Sequence, residues 1–164
     1  MKPFLRWRDD WLLGVDSLDN QHLAMAAHLN RIFTALEGGF GGSHLSRRGH
    51  ALLLEFVGMT REHFQDEEAL MQSSDYPGLI EHHREHLMLT AELHELIRQI
   101  EEGYRRFTLD TLTSLKYWQI DHVLGSDRDF ADHLLRQEAT AGELPSVSLG
   151  CVVPLRRGAQ ASSR

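Results

Sequence analysis

Seven residues of metal-binding types recur along the chain at spacings that place them inside a helical bundle. They are His22, His63, Glu67, His82, His86, His122 and Asp127. His63 and Glu67 are four positions apart, as are His82 and His86, so each pair lies on one helix face about a turn apart. Five imidazoles and two carboxylates can hold two transition-metal ions. The spacing therefore predicts a dinuclear metal site.

A single histidine on an apolar helix face is more often a satisfied core residue or an exposed one than a metal ligand. That interpretation weakens when several such groups point into one core, because burying Glu67 or Asp127 without a cation costs several kcal/mol. One dinuclear site satisfies all seven residues together. We expect the remaining histidines to face solvent or the rim, together with Asp66 and Glu68: His28, His44, His50, His83, His94 and His133.

The step from His122 to Asp127 does not fit a regular helix. Five residues of ideal α-helix turn about 140° past the starting face. Either the carboxylate reaches around the helix, or the helix is locally widened. Gly125 lies inside the interval and would ease a π-type bulge, a feature often found at functional sites.

The number of donor atoms predicts a vacancy. Five imidazoles, two bridging carboxylates and a solvent-derived oxo or hydroxo bridge supply roughly eleven metal–ligand bonds. Two ions with a coordination number of roughly six each would need about twelve. About one position is left for a small external ligand. Imidazole suits iron, copper, zinc and nickel alike, so the donors alone do not select the metal.

Apolar residues at three- and four-residue steps predict four helices that position these groups. The segments run from about Asp16, a candidate N-cap, to the glycines at 38–42; from about Leu45 to Met71; from Pro77 to Gly103; and from the cap Thr108 to about Gln137. Short loops between such helices predict an all-α, up-down-up-down four-helix bundle. Before it, Trp7, Trp11, Leu12 and Leu13 form an irregular arm expected to pack across the bundle.

The periodic pattern ends near Gln137, which predicts a bundle domain over residues 1–137 and a flexible tail over 138–164. Prolines, glycines and serines in the tail favour disorder. The alternative is that residues 147–155, which include Cys151, form a docking peptide.

Composition excludes several other classes of protein. The net charge is −7 and no basic stripe is present, so we expect no nucleic-acid partner. One cysteine allows no internal disulfide and no thiolate-based zinc or iron–sulfur site. The first residues lack a signal-peptide pattern, and no apolar run approaches the roughly 20 residues of a membrane helix. We expect a cytoplasmic protein with no membrane partner.

The chain resembles the hemerythrin family, and specifically the bacteriohemerythrins, over about residues 4–135. The resemblance rests on residues 15–22 (VDSLDNQH), residues 63–71 (HFQDEEALM), Tyr76-Pro77 followed by His82-x-x-x-His86, and Trp118-x-x-x-His122-x-x-x-x-Asp127. It implies reversible O2 binding at a non-heme di-iron centre, with two oxo- or hydroxo-bridged irons per chain.

Carried over by motif, the resemblance implies that His82, His86 and His122 hold one iron. It assigns His22 and His63 to the other iron, which carries the vacancy. Glu67 and Asp127 are then the bridges. Such a centre needs no external acid, base or nucleophile, so we expect an oxygen-binding protein rather than an enzyme. The sequence also lacks the Glu-x-x-His motifs of carboxylate-rich di-iron enzymes.

One pocket position departs from the family pattern. The resemblance implies that Trp118 and the residue after it line the O2 pocket. That residue is usually leucine in the family and is Gln119 here. Gln119 either makes the pocket more polar or turns to solvent. The expected role is O2 storage, delivery to an oxygen-requiring enzyme, or sensing. The rivals are a di-iron enzyme that reduces peroxide or nitric oxide, and an iron store or sensory module.

Overall fold

The computed structural model describes residues 2–37 and 46–142, which form a four-helix bundle without strands. Its first three helices are α1 (Asp16–Glu37), α2 (Arg47–Ser73) and α3 (Leu79–Glu101). The fourth consists of α4 (Leu109–His122), a π-helical turn (Val123–Asp127) and α5 (Arg128–Gly142). Helix α1 packs against α2 and α4, and α2 packs against α3. The predicted all-α bundle is confirmed.

Side-chain hydrogen bonds hold the backbone at the starts of α1 and α4. Before α1, the Asp19 carboxylate accepts hydrogen bonds from the backbone N–H groups of Leu13 and Gly14, at 2.8 and 2.9 Å. Thr108 caps α4, as the sequence predicts, and the structure shows that it exchanges hydrogen bonds with Thr111. The predicted start of α3 at Pro77 is early, because Pro77 lies in the preceding turn and the helix begins at Leu79.

Two apolar clusters fill the bundle, and the seven predicted metal-binding residues lie between them. The larger cluster includes Leu29, Leu53, Phe56 and Leu112, all fully buried. The smaller cluster has fully buried members of its own: Leu18, Met71, Phe130 and Ala131. On each helix the predicted ligands fall between residues of the two clusters, so polar groups occupy one layer of an otherwise apolar core.

The N-terminal arm packs against the bundle, as expected. Backbone groups of Leu5 exchange hydrogen bonds with the Asn30 side chain, both at 2.8 Å. The ring of Phe4 stacks on Phe33 with centroids 5.0 Å apart. Within the predicted arm, Leu13 is buried whereas Leu12 is exposed.

The last helix continues beyond Gln137 to Gly142. Glu138, Ala139 and Ala141 are good helix formers, which explains why the helix ends later than the predicted position near Gln137. Residues 143–164, with the candidate docking segment 147–155 and Cys151, lie outside the described residues, as do the glycines at 38–42 and His44. In the ranges that are described, no helix is long and apolar enough to cross a membrane.

Candidate metal centre

All seven predicted side chains converge in the polar layer between the apolar clusters, and none is more than 5 % exposed. Their ligand atoms fall into two groups, each within 4.8 Å. The three-histidine group consists of His82, His86 and His122 with Glu67 and Asp127. The two-histidine group consists of His22 and His63 with Asp127. The geometry offers positions for two cations that share one carboxylate.

Asp127 faces the two groups through different oxygens. Its Oδ1 atom lies 3.0 Å from His122 Nε2 and 3.2 Å from His82 Nε2. Its Oδ2 atom lies 3.2 Å from His22 Nε2 and 3.8 Å from His63 Nε2. One carboxylate placed in this way can bridge two metal ions.

The π-helical turn brings Asp127 onto the inward face of the fourth helix. Of the two alternatives for the five-residue step after His122, the structure contains the widened helix. Asp127 is consequently fully buried. A Cβ at Gly125 would meet no atom within 4 Å, so crowding does not require the glycine.

Glu67 lies closer to the three-histidine group. Its Oε2 atom is 3.3 Å from His86 Nε2 and 3.5 Å from His82 Nε2, but 3.9 Å from His63 Nε2. Burial, reinforced by the nearby charge of Asp127, raises the pKa of Glu67 well above its ordinary value. The field of a bound cation would oppose this shift and favour the carboxylate.

Three histidines are held from behind by outer hydrogen bonds through Nδ1. His63 Nδ1 lies 2.9 Å from Gln21 Oε1, His86 Nδ1 lies 2.8 Å from Glu68 Oε1, and His122 Nδ1 lies 2.9 Å from Glu85 Oε1. An acceptor at each Nδ1 places the proton there and leaves Nε2 free to bind a metal.

Sequence reasoning missed these supporting residues. Glu68 was expected on the solvated face, but it is only partly exposed and holds His86. A signal was available, because Gln21, Glu68 and Glu85 each stand directly beside a predicted ligand. A neighbouring position on a helix is rotated by about 100°, which places it at the edge of the buried face, within reach of a ring on another helix.

The nitrogen atoms that face each other indicate that the residues fit a metal. The Nε2 atoms of His86 and His122 lie 3.1 Å apart, as do those of His22 and His63. In the neutral form that metal binding requires, with the protons on Nδ1, the first pair would direct two lone pairs at each other, a repulsive contact that an intervening cation relieves. In addition, all four carboxylate oxygens of Glu67 and Asp127 are buried without hydrogen-bond partners.

Burial keeps two of the rings in the neutral form that a metal ligand requires. Burial, together with His122 and His82, lowers the pKa of His86 to about 2. Burial also lowers the pKa of His63, although Asp127 partly offsets it. Burial alone would raise the pKa of Asp127, but the surrounding imidazoles, His122 foremost, outweigh it and hold that pKa well below its usual range.

The predicted pocket residues lie beside these groups. Gln119 is only 2 % exposed, so the expectation that it could turn to solvent is wrong. Its Nε2 donates to the backbone oxygen of His22 at 3.2 Å, and its Oε1 atom is buried without a partner. The Trp118 ring lies 6.2 Å from Phe64 and 6.4 Å from His122, and Phe64 stacks on His86 at 3.7 Å.

One prediction about the other histidines is wrong: His28 was expected at the surface but is buried. Both of its ring nitrogens have partners there, since Nε2 donates to the backbone oxygen of Leu52 at 2.7 Å and Nδ1 accepts from Arg31 at 3.1 Å. It is a satisfied core histidine. As expected, His83 and His94 are exposed, whereas His50 and His133 are half-buried with acceptors at Glu101 and Ser74.

Comparisons with known proteins agree with this geometry. Residues 13–134 match the model of the Hemerythrin HHE cation binding domain. Bacteriohemerythrins of Stenotrophomonas maltophilia and Pseudomonas aeruginosa are 29% and 30% identical, covering 79% and 78% of this chain and 81% and 80% of those proteins. The myohemerythrin of Riftia pachyptila is 25% identical, over 78% of this chain and 92% of its own. A crystal structure of a hemerythrin mutant shares the fold with a TM-score of 0.71 at 21% identity, covering 81% of this chain and 98% of that one.

Proposed function

Since the chain belongs to the hemerythrin family, we propose that it binds O2 reversibly at a non-heme di-iron centre. The observation that carries the proposal is Asp127, whose two oxygens face two separate groups of buried histidines. A site for one zinc ion would need about four donors and no shared carboxylate.

In this proposal His82, His86 and His122 would hold one iron, and His22 and His63 would hold the other. The two groups would share Asp127 and Glu67. Glu67 is placed less evenly than Asp127, because its short distances to both groups run from the same oxygen, Oε2. The chemistry that such an iron pair supplies when bound is reversible electron exchange with O2. The group with fewer histidines is the one that leaves room for an external ligand.

Side chains around the proposed ligands define the shape of the pocket and exclude water from it. We assign Trp118 and Gln119 to its lining, as the resemblance implies. Phe64 and Trp118 pack against ligand rings and limit the access of water to the centre. The outer hydrogen bonds hold the imidazoles in one orientation, so the site needs little rearrangement when a ligand enters. None of these residues has to act as an acid or a base.

The proposed biological role is O2 storage, delivery to an oxygen-requiring enzyme, or sensing, in the cytoplasm. A second candidate function is favoured by one observation. Gln119 places an unpartnered amide oxygen in the pocket region. A polar pocket suits an enzyme that reduces peroxide or nitric oxide better than it suits a carrier.

An absorption spectrum of the reduced protein before and after exposure to air tests the proposal. We expect two irons per chain and a visible charge-transfer band that appears with O2 and disappears when O2 is removed. A spectrum that does not respond to O2 would contradict O2 binding. Sustained turnover with peroxide and a reductant would instead favour the enzyme.

A further inference from the structure

The two histidine groups differ in the charge of the residues behind them. In the three-histidine group, His86 and His122 donate from Nδ1 to the carboxylates of Glu68 and Glu85. In the two-histidine group, His63 donates to the neutral amide of Gln21, and His22 Nδ1 has no partner. Two anionic supports therefore stand behind one proposed metal position and none behind the other.

Glu85 is itself fixed in place. Its Oε1 atom accepts from His122, and its other oxygen accepts from the hydroxyl of Ser126, inside the π-helical turn. The hydrogen bond from His122 is the largest of the effects that lower the pKa of Glu85 below its ordinary value. Glu68 contacts His86 at 2.8 Å and the exposed His83 at 2.9 Å. Both carboxylates hold a ring and add negative charge behind it.

A carboxylate behind a metal-bound imidazole fixes the ring and makes its free nitrogen a stronger donor. An amide fixes the ring without adding charge. We propose that Glu68 and Glu85 are positioning residues that make the three-histidine position the tighter of the two, so that it fills first and empties last. This inference rests on the proposed di-metal function and extends it to the order of metal loading.

Titration of the metal-free protein with Co²⁺, followed by calorimetry and visible absorption, tests the order. We expect two ions to bind in two resolved steps. Glu85→Gln and Glu68→Gln should each lower the Co²⁺ affinity of the tighter binding step about 10- to 100-fold. Glu85→Asp, which keeps the charge, should lower this affinity less. The absorption bands of the first equivalent should shift in Glu85→Gln, a change that a purely structural loss of stability would not produce.

Glu81→Gln is the matched control, because it removes the same charge from α3 one turn away, where the side chain is 73 % exposed and pairs with the exposed Arg84. It should leave both steps unchanged. The reciprocal variant combines Gln21→Glu with Asp66→Asn. Gln21 donates to Asp66 at 2.7 Å, so the pair keeps this contact and the net charge while moving the carboxylate behind His63. This double variant should raise the Co²⁺ affinity of the weaker binding step.

The outcomes separate the two proposals. If the unaltered protein binds fewer than two Co²⁺ ions, the di-metal assignment and the loading order both fail. If two ions bind with equal affinity, or if Glu85→Gln behaves like Glu81→Gln, the di-metal site stands and the loading order is overturned.

Discussion

Gln119 on α4 donates its side-chain amide to the main-chain oxygen of His22 on α1, at 3.2 Å. The contact links Gln119, which we propose lines the O2 pocket, to the backbone of a proposed iron ligand. It also fixes the orientation of the amide, leaving Oε1 as a buried acceptor without a partner. Such an atom can hold a water molecule where the site is large enough.

Gln119→Leu should therefore slow autoxidation after oxygenation several-fold, which corresponds to about 1 kcal/mol in the barrier. Leucine removes the acceptor that can hold water or a proton source near the bound O2. Iron content should not change, and the decay of the visible band measures the rate. An equal rate would refute the proton-leak explanation, and a faster one would indicate that the amide stabilises bound O2.

Replacing either shared carboxylate should sharply lower iron content from two per chain. Asp127→Ala should have the larger effect, because both histidine groups contact this residue, whereas Glu67 lies nearer one of them. Metal analysis of the purified variants measures the loss, and His94→Ala is the control with about two irons. A result of one zinc and no iron in the unaltered protein would contradict the assignment.

Acidification below about pH 6 should destabilise the metal-free protein. Burial lowers the pKa of His63 and, with two neighbouring histidines, lowers that of His86 to about 2. The stability these rings contribute is present above the ordinary pKa of 6.5 and is lost as the pH falls below it. Glu67 acts oppositely, since its raised pKa gives stability that is lost as the pH rises. Burial of His122 is outweighed by nearby carboxylates, which raise its pKa, so this ring acts with Glu67, but only above the ordinary histidine pKa of 6.5. Below about pH 6, the two lowered histidines against Glu67 leave a net uptake of about one proton on unfolding, or about 1.4 kcal/mol per pH unit.

Urea unfolding in the presence of a chelator, at pH 6, 5.5 and 5, measures this slope. His86→Leu should flatten it, because one of the two rings no longer titrates in the unfolded chain. Glu67→Gln should steepen it, because the opposing carboxylate is gone. Stability that rises as the pH falls would show that the carboxylate dominates.

His28→Ala should destabilise the fold by about 2–3 kcal/mol, because it leaves a cavity and removes the hydrogen bond to Leu52. Iron content of the folded variant should remain at two, since His28 belongs to neither metal group. Thermal or urea unfolding checks the first part and metal analysis the second. His94→Ala, at an exposed position, should change neither quantity.

Removing residues 143–164 should leave iron content, O2 binding and melting temperature unchanged, because every proposed ligand precedes them. A longer deletion from residue 138 also removes the last turn of α5, where Thr140 donates to the backbone oxygen of Gln137. That variant should melt slightly lower. A large fall in melting temperature on removing 143–164 alone would show that this segment packs on the bundle.

Features that depend on helical periodicity were predictable from the sequence, whereas contacts between different helices were not. The seven converging residues repeat at helical steps on apolar faces, so their meeting was predictable, and the His122–Asp127 step already required either a long reach or a widened turn. The outer residues were marked by their positions beside predicted ligands, but the sequence did not show which ring each one holds, because Glu85 meets His122 on another helix. The burial of His28 was missed for a related reason. Its partner is the backbone carbonyl of Leu52, and the spacing of side chains in a sequence does not reveal a backbone acceptor on another helix.

The polar layer between the two apolar clusters has a consequence for how the bundle unfolds. Without metal, the layer buries oxygens and nitrogens that lack partners, a cost that the outer hydrogen bonds of Gln21, Glu68 and Glu85 offset only in part. Bound metal ions would link all four helices at mid-length, between the two apolar clusters. Because ions that bind only the folded chain stabilise it by mass action, loading the protein should raise its melting temperature in proportion to the logarithm of the metal concentration.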